Sequence, residues 1–138
     1  ESQINSYISD ILARDKLDFI VGNSFGGFIA THFSQKYEVS CILTNPCLRP
    51  DKSMRKIAPG YMNYSNRATM SYWIDKLQQD TKLWKNVHII FGDNDEVLDT
   101  SLSLKLCKEA DIVTILGGHK LRGPEFEFEF KKLVDKLR

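Results

Sequence analysis

Leu17-Asp18-Phe19-Ile20-Val21-Gly22-Asn23-Ser24-Phe25-Gly26-Gly27 is the stretch from which the rest of the chain can be read. Phe19, Ile20 and Val21 form an apolar run of strand length. Gly22-Asn23-Ser24-Phe25-Gly26 comes directly after and fits Gly-x-Ser-x-Gly, the tight strand-to-helix turn that holds a serine in a strained conformation with its hydroxyl clear of the sheet. Positions 22 and 26 are expected to be small because backbone and neighbouring side chains crowd there. Phe28, Ile29 and Phe33 continue at helical spacing, which completes the strand, turn and helix that the motif requires. A nucleotide-binding glycine loop fits poorly: no Lys-Ser/Thr is present after the glycines, and the spacing is not Gly-x-Gly-x-x-Gly.

Upstream, Ile4, Ile8, Ile11 and Leu12, with Tyr7 beside them, recur with helical period and predict a helix over 2–14 packed on a sheet face. Asp15-Lys16 makes the turn into a first strand over 17–22, and a helix over 25–37 comes after the serine. A second strand over 39–44 ends at Asn45-Pro46, a turn signal. The segment 51–85 reads as an insert of cap-like character. Arg49-Pro50-Asp51 at its start and Pro59-Gly60 within it act as breakers around a short helical turn at 54–58. A loop over 61–66 leads to an amphipathic helix marked by Met70, Trp73, Ile74 and Leu77, with Thr69 or Asn66 as its cap. Trp84 anchors the next turn. The third strand, 87–91, ends in Gly92-Asp93-Asn94-Asp95. Leu102, Leu104, Leu106 and Cys107 predict a helix of about ten residues. The fourth strand, 112–116, runs into Gly117-Gly118-His119. In the tail, residues 125–130 alternate as a strand would. Phe126, Phe130, Leu133, Val134 and Leu137 nevertheless mark one helical face, and Pro124 suits a first helical turn, so the tail reads as helix with Phe128 at the edge of the buried face.

Strands alternating with helices imply a mainly parallel sheet covered on both faces, a three-layer α/β/α sandwich of α/β-hydrolase-like type in one domain over 1–138. The serine turn normally comes after several strands, whereas one short helix precedes it here, so the domain is read as incomplete at its N-terminus. The net charge of +1 over 138 residues, with acids and bases interspersed, argues against a nucleic-acid or anionic-membrane partner. No apolar run approaches the ~20 residues of a membrane span. Cys41, Cys47 and Cys107 have neither metal nor redox spacing and read as small core hydrophobes; their odd number argues against a disulfide framework and favours a reducing, cytoplasmic setting.

The residues suited to chemistry sit where strands end. The first strand ends at Ser24, the third at Asp93 and Asp95, the fourth at His119. Right-handed crossovers put all of these on one sheet edge, where open α/β sheets hold their sites. The order Ser, Asp, His is that of the α/β-hydrolases. A serine hydroxyl needs a base to become a nucleophile, histidine suits that task near neutral pH, and a carboxylate on the far ring nitrogen sets its tautomer. The backbone amide of Phe25 is the expected oxyanion donor. A second donor usually comes from a loop after an earlier strand, and none is found here. Asp93 and Asp95 both remain candidates for the acid, with a turn that swings back across the edge favouring the later one; both positions also suit plain turn chemistry. Asp99 reads as a helix cap. His32 reads as a surface or groove residue, His88 as structural, and Lys131-Lys132 as a solvated face. Met70, Trp73 and Leu77 read as core, or as the lining of an acyl pocket.

Ile20 to Phe28, then Ala30-Thr31, then Thr44-Asn45-Pro46-Cys47-Leu48-Arg49-Pro50, resembles the small YqiA/YcfP-type α/β-hydrolases, bacterial esterases in which the serine turn is succeeded closely by a strand ending in Asn-Pro-x-x-Arg-Pro. Asp95-Glu96-Val97-Leu98-Asp99 looks like the family's acid turn and Gly117-Gly118-His119 like its histidine turn. The resemblance implies Ser24 as nucleophile, Asp95 as acid and His119 as base, with Arg49 beside the site. It also implies hydrolysis of short-chain carboxylic esters or thioesters as small-molecule substrates, without metal or cofactor. The family's opening strand and His-Gly-Phe-type loop have no counterpart in the chain, and the stretch 60–86 does not align. An acyltransferase or thioesterase with the same triad, and a non-catalytic binding module of this fold, are the alternative expectations.

Overall fold

A computed structural model describes residues 2–14, 16–61, 63–80 and 82–138; the side chains of Ser2, Ile4 and Tyr64 also lie outside the described part. The expected roles of Ile4 in the first helix face and of Asp15 in the first turn therefore fall outside it. The elements run α1 (Ser2–Arg14), β1 (Phe19–Asn23), α2 (Phe25–Tyr37), β2 (Ser40–Thr44), α3 (Pro50–Ile57), α4 (Tyr64–Gln79), β3 (Val87–Gly92), α5 (Thr100–Leu104), β4 (Asp111–Ile115) and α6 (Pro124–Leu137).

The four strands form one sheet in the order β1-β2-β3-β4, and all neighbours pair parallel, Val21 with Ile42, Ile42 with His88 and Ile90 with Val113. The parallel sheet expected from the sequence is borne out, with every pairing among the described strands parallel. Because the strand order never reverses, right-handed crossovers send every connecting helix to the same face. That face holds the larger core: Cys41 and Leu43 of β2 and Val87, Ile89 and Phe91 of β3 pack with Phe28 of α2 and Met70, Ile74 and Leu77 of α4. The alternate residues Ile42 and Ile90 point the other way, clustering with Ile115 of β4 and Leu133 of α6. α6 leaves part of that face open at the outer strand, where Val21 is 50% exposed.

Several local expectations are corrected. α3 starts at Pro50 rather than near residue 54, with proline at a helix start where its missing N–H costs nothing. α4 starts at Tyr64, and its cap is Asn63, whose side chain accepts the Asn66 N–H at 2.8 Å; neither Asn66 nor Thr69 is the cap, and most of the expected loop over 61–66 is helix. Met62 lies outside the described residues. α5 is a five-residue helix, because residues 105–110 turn back early to bury Cys107. Phe128 is not at the edge of a buried face but 67% exposed. α1 buries Ile8 while Tyr7 and Leu12 stay exposed; its Asn5 and Ser9 meet Tyr37 and Lys36 at the end of α2.

Candidate active site

Ser24 sits between β1 and α2 at φ 51°, ψ −123°, a positive-φ conformation that L residues adopt only when the surroundings over-determine it. The surroundings do so. The Ser24 N–H donates to Thr44 O at 3.0 Å, and the Ser24 carbonyl accepts from Gly27 N at 3.0 Å and Cys47 N at 2.9 Å. A Cβ at position 22 would come within 2.7 Å of Ala30 Cβ and Gly27 Cα, so glycine is required there. The second crowded position is not 26 as expected: a Cβ at Gly26 would meet nothing within 4 Å, whereas one at Gly27 would lie 2.7 Å from Pro46 Cβ. The end of β2 is what presses on the first turn of α2.

The hydroxyl of Ser24 lies 3.0 Å from Nε2 of His119, and Nδ1 of the same ring lies 2.9 Å from Oδ2 of Asp95. A carboxylate only accepts, so Nδ1 carries the proton and Nε2 is left to accept the Ser24 O–H. The Asp95 side chain is 1% exposed and that of His119 14%. The other carboxylate oxygen of Asp95 accepts from Val97 N at 2.8 Å and Leu98 N at 2.9 Å, which orients the group toward the imidazole. Asp93 does another job: its Oδ1 accepts from Gly117 N at 3.0 Å, bracing the histidine turn. Phe25 is the first residue of α2, where backbone amides have no intrahelical acceptor and the helix dipole favours negative charge.

Two further residues hold this turn and were not singled out from the sequence. Asn45, wholly buried at φ 41°, donates from Nδ2 to the carbonyls of Gly118 and His119, each at 2.9 Å, and accepts at Oδ1 from Gly92 N at 2.8 Å. Glu96 accepts the His119 N–H at 2.8 Å, and that bond holds its carboxyl below the usual range. The Asn45-Pro46 pair signalled a turn, but nothing in a single sequence shows where a carboxamide will point.

Asp99 is the cap of α5, accepting from Ser101 N at 3.1 Å. Arg49 pairs with Asp51 through two contacts of 2.8 and 2.6 Å at the start of α3. His32 stacks on Trp73 with ring centroids 3.7 Å apart. His88 is buried at the far end of the sheet, 2.9 Å from Asp111. All three cysteines are free and buried, and burial pushes the Cys41 thiol up to about 12 and Cys107 to about 11, so neither is a ready thiolate. Among the described residues, no cluster of three or more His, Cys, Asp or Glu has metal-binding geometry, and no helix is long and apolar enough to cross a membrane.

Beside the serine turn, a groove of about 360 Å³ is lined by Phe25, Phe28, Ile29, Tyr61, Met70 and Trp73, among others. Phe25 meets Tyr61 edge-on at 5.8 Å, and Phe28 meets Trp73 at 5.7 Å. The groove therefore lies between α2 and the segment joining β2 to β3, with the residue after Ser24 in its wall.

Comparison with protein families matches residues 2–135 to the uncharacterised protein family UPF0227. The chain belongs to UPF0227. This is the YqiA/YcfP-type family of the sequence resemblance. The UPF0227 match covers α1 and all four strands, and with them Ser24, Asp95 and His119. No curated protein matches the chain.

Proposed function

We propose that this UPF0227 chain is a serine hydrolase that cleaves short-chain carboxylic esters through Ser24, His119 and Asp95. The observation that carries the reading is the unbroken row from Ser24 Oγ to His119 Nε2, and from His119 Nδ1 to Asp95 Oδ2, at 3.0 and 2.9 Å. In the reaction, Ser24 Oγ attacks the ester carbonyl carbon while its proton passes to His119 Nε2. The imidazolium is stabilised by the Asp95 carboxylate, and the carbonyl oxygen takes up negative charge facing the Phe25 N–H at the start of α2. Collapse breaks the carbon–oxygen bond to the alcohol, which leaves with the proton from Nε2. Water then attacks the acyl-Ser24 ester, giving its proton to Nε2, and the acid is released as Ser24 recovers a proton.

The groove beside Phe25 supports an apolar acyl group as the part of the substrate held. Among the described residues its lining has no charged side chain, and Asn66, Thr69 and the Tyr61 hydroxyl supply polar groups. A fluorophosphonate probe tests the reading: the folded protein should be labelled at Ser24, and Ser24→Ala should abolish labelling. A folded protein that is never labelled would mark a binding module instead. Parallel panels of p-nitrophenyl esters and acyl thioesters decide between ester and thioester hydrolysis.

A further inference from the structure

One short segment, Thr44 to Cys47, bonds to the backbone at both Ser24 and the histidine turn. Thr44 O accepts the Ser24 N–H and Cys47 N–H donates to Ser24 O, so both flanks of Asn45–Pro46 grip the backbone of the serine. Asn45 itself grips the backbone of the histidine turn through the carbonyls of Gly118 and His119, and it grips the end of β3 through Gly92 N. Its own N–H donates to Ile90 O at 3.0 Å. We infer that Asn45 is a positioning residue, a buried carboxamide that sets the His119 imidazole against the Ser24 hydroxyl. The inference rests on the hydrolase reading for its catalytic consequence.

The residue type is dictated by the geometry. The site presents two carbonyl oxygens and one N–H to a fully buried side chain, so it needs two donor hydrogens and one acceptor on a single short group. The Gly92 N–H fixes which end of the amide is oxygen. Aspartate supplies no donor when ionised and would set a charge against two carbonyl oxygens. Serine supplies one donor. Glutamine is a methylene too long for a close-packed site. The positive φ also favours Asn among non-glycine residues. Gly92 completes the arrangement: a Cβ there would collide with Gly117 O and approach Gly118 O to 2.7 Å, so its absence lets the histidine turn lie over the end of β3.

The test uses wild type, Asn45→Asp, Asn45→Ala and a control, Ser34→Ala, which removes a 2.5 Å hydrogen bond to Val39 O at the other end of α2. Turnover is measured below each variant's unfolding transition, together with the His119 Nδ1–H proton resonance. Both Asn45 variants should lose about 10²-fold in kcat with KM nearly unchanged, and the Nδ1–H resonance should broaden or vanish; Ser34→Ala should keep both at wild-type level. Folded Asn45 variants with wild-type kcat and an unaltered resonance would overturn the inference. So would a kcat loss in Ser34→Ala that matched theirs. If the Asn45 variants do not fold, wild type still decides: the Gly92 amide should exchange with solvent only through global unfolding, and fast native-state exchange there would remove the clamp. A wild type that neither hydrolyses esters nor is labelled at Ser24 would sink the hydrolase reading alone, leaving the resonance and exchange results to judge the clamp.

Discussion

His119 Nε2 stands 3.0 Å from the Ser24 hydroxyl across 95 positions of chain. The two residues lie on turns at the ends of opposite outer strands of the sheet, β1 and β4. β2 and β3 lie between them, so their end residues must transmit the alignment. Asn45 at the end of β2 and Gly92 at the end of β3 meet each other and the histidine turn.

Replacing Asp95 with asparagine should keep the fold and remove most of the activity. The amide can donate to Nδ1, which favours the tautomer with the proton on Nε2, where it cannot accept from Ser24. A loss of about 10⁴-fold in kcat is expected, read from ester hydrolysis with circular dichroism as the folding check. Asp93→Asn should lose far less, since Asp93 touches the turn and not the ring. Equal losses would remove Asp95 from the proton row.

Gly26→Ala and Gly27→Ala should separate cleanly in thermal or urea denaturation. A methyl at 26 enters open space at the start of α2, so the change should stay within about 1 kcal/mol of wild type. A methyl at 27 drives into Pro46, and the overpacking should cost about 1–3 kcal/mol. The same variant should also lose activity, because Pro46 lies between the segments that hold Ser24 and His119.

Glu96 makes the histidine turn sensitive to acid. Accepting the His119 N–H lowers its pKa from the ordinary 4.5. A carboxyl whose folded value is depressed adds stability above its unfolded value and loses it as pH falls through the folded value. Wild type should therefore exceed Glu96→Gln in urea midpoint at neutral pH. The gap should begin to close as pH drops below about 4.5 and should continue closing toward the lower folded-state value. A gap that stays constant down to about pH 2 would place its origin elsewhere.

Tyr61→Ala should alter substrate choice without unfolding the chain, because Tyr61 is 48% exposed at the groove while its ring meets Phe25. The ratio of kcat/KM for butyryl over acetyl esters should fall by about tenfold, the scale of a methylene-sized contact. A ratio that does not move would separate the groove from acyl binding.

The sequence by itself determined the alternation of strands and helices, the strand–turn–helix around Ser24 and the helical tail. These depend on local period and on residues whose backbone preferences act within a few positions. It also determined that Ser24, the aspartates and His119 would share a sheet edge, because parallel crossovers of one hand leave few alternatives. Tertiary structure decided the rest. Asp95 rather than Asp93 faces the imidazole because its other oxygen is turned inward by the amides of Val97 and Leu98. Gly27 rather than Gly26 is crowded because Pro46 arrives from another strand. Asn45 reads as a turn residue in sequence and becomes a three-way bridge in space, since a buried polar group takes its role from whichever backbone atoms the fold leaves unpaired beside it.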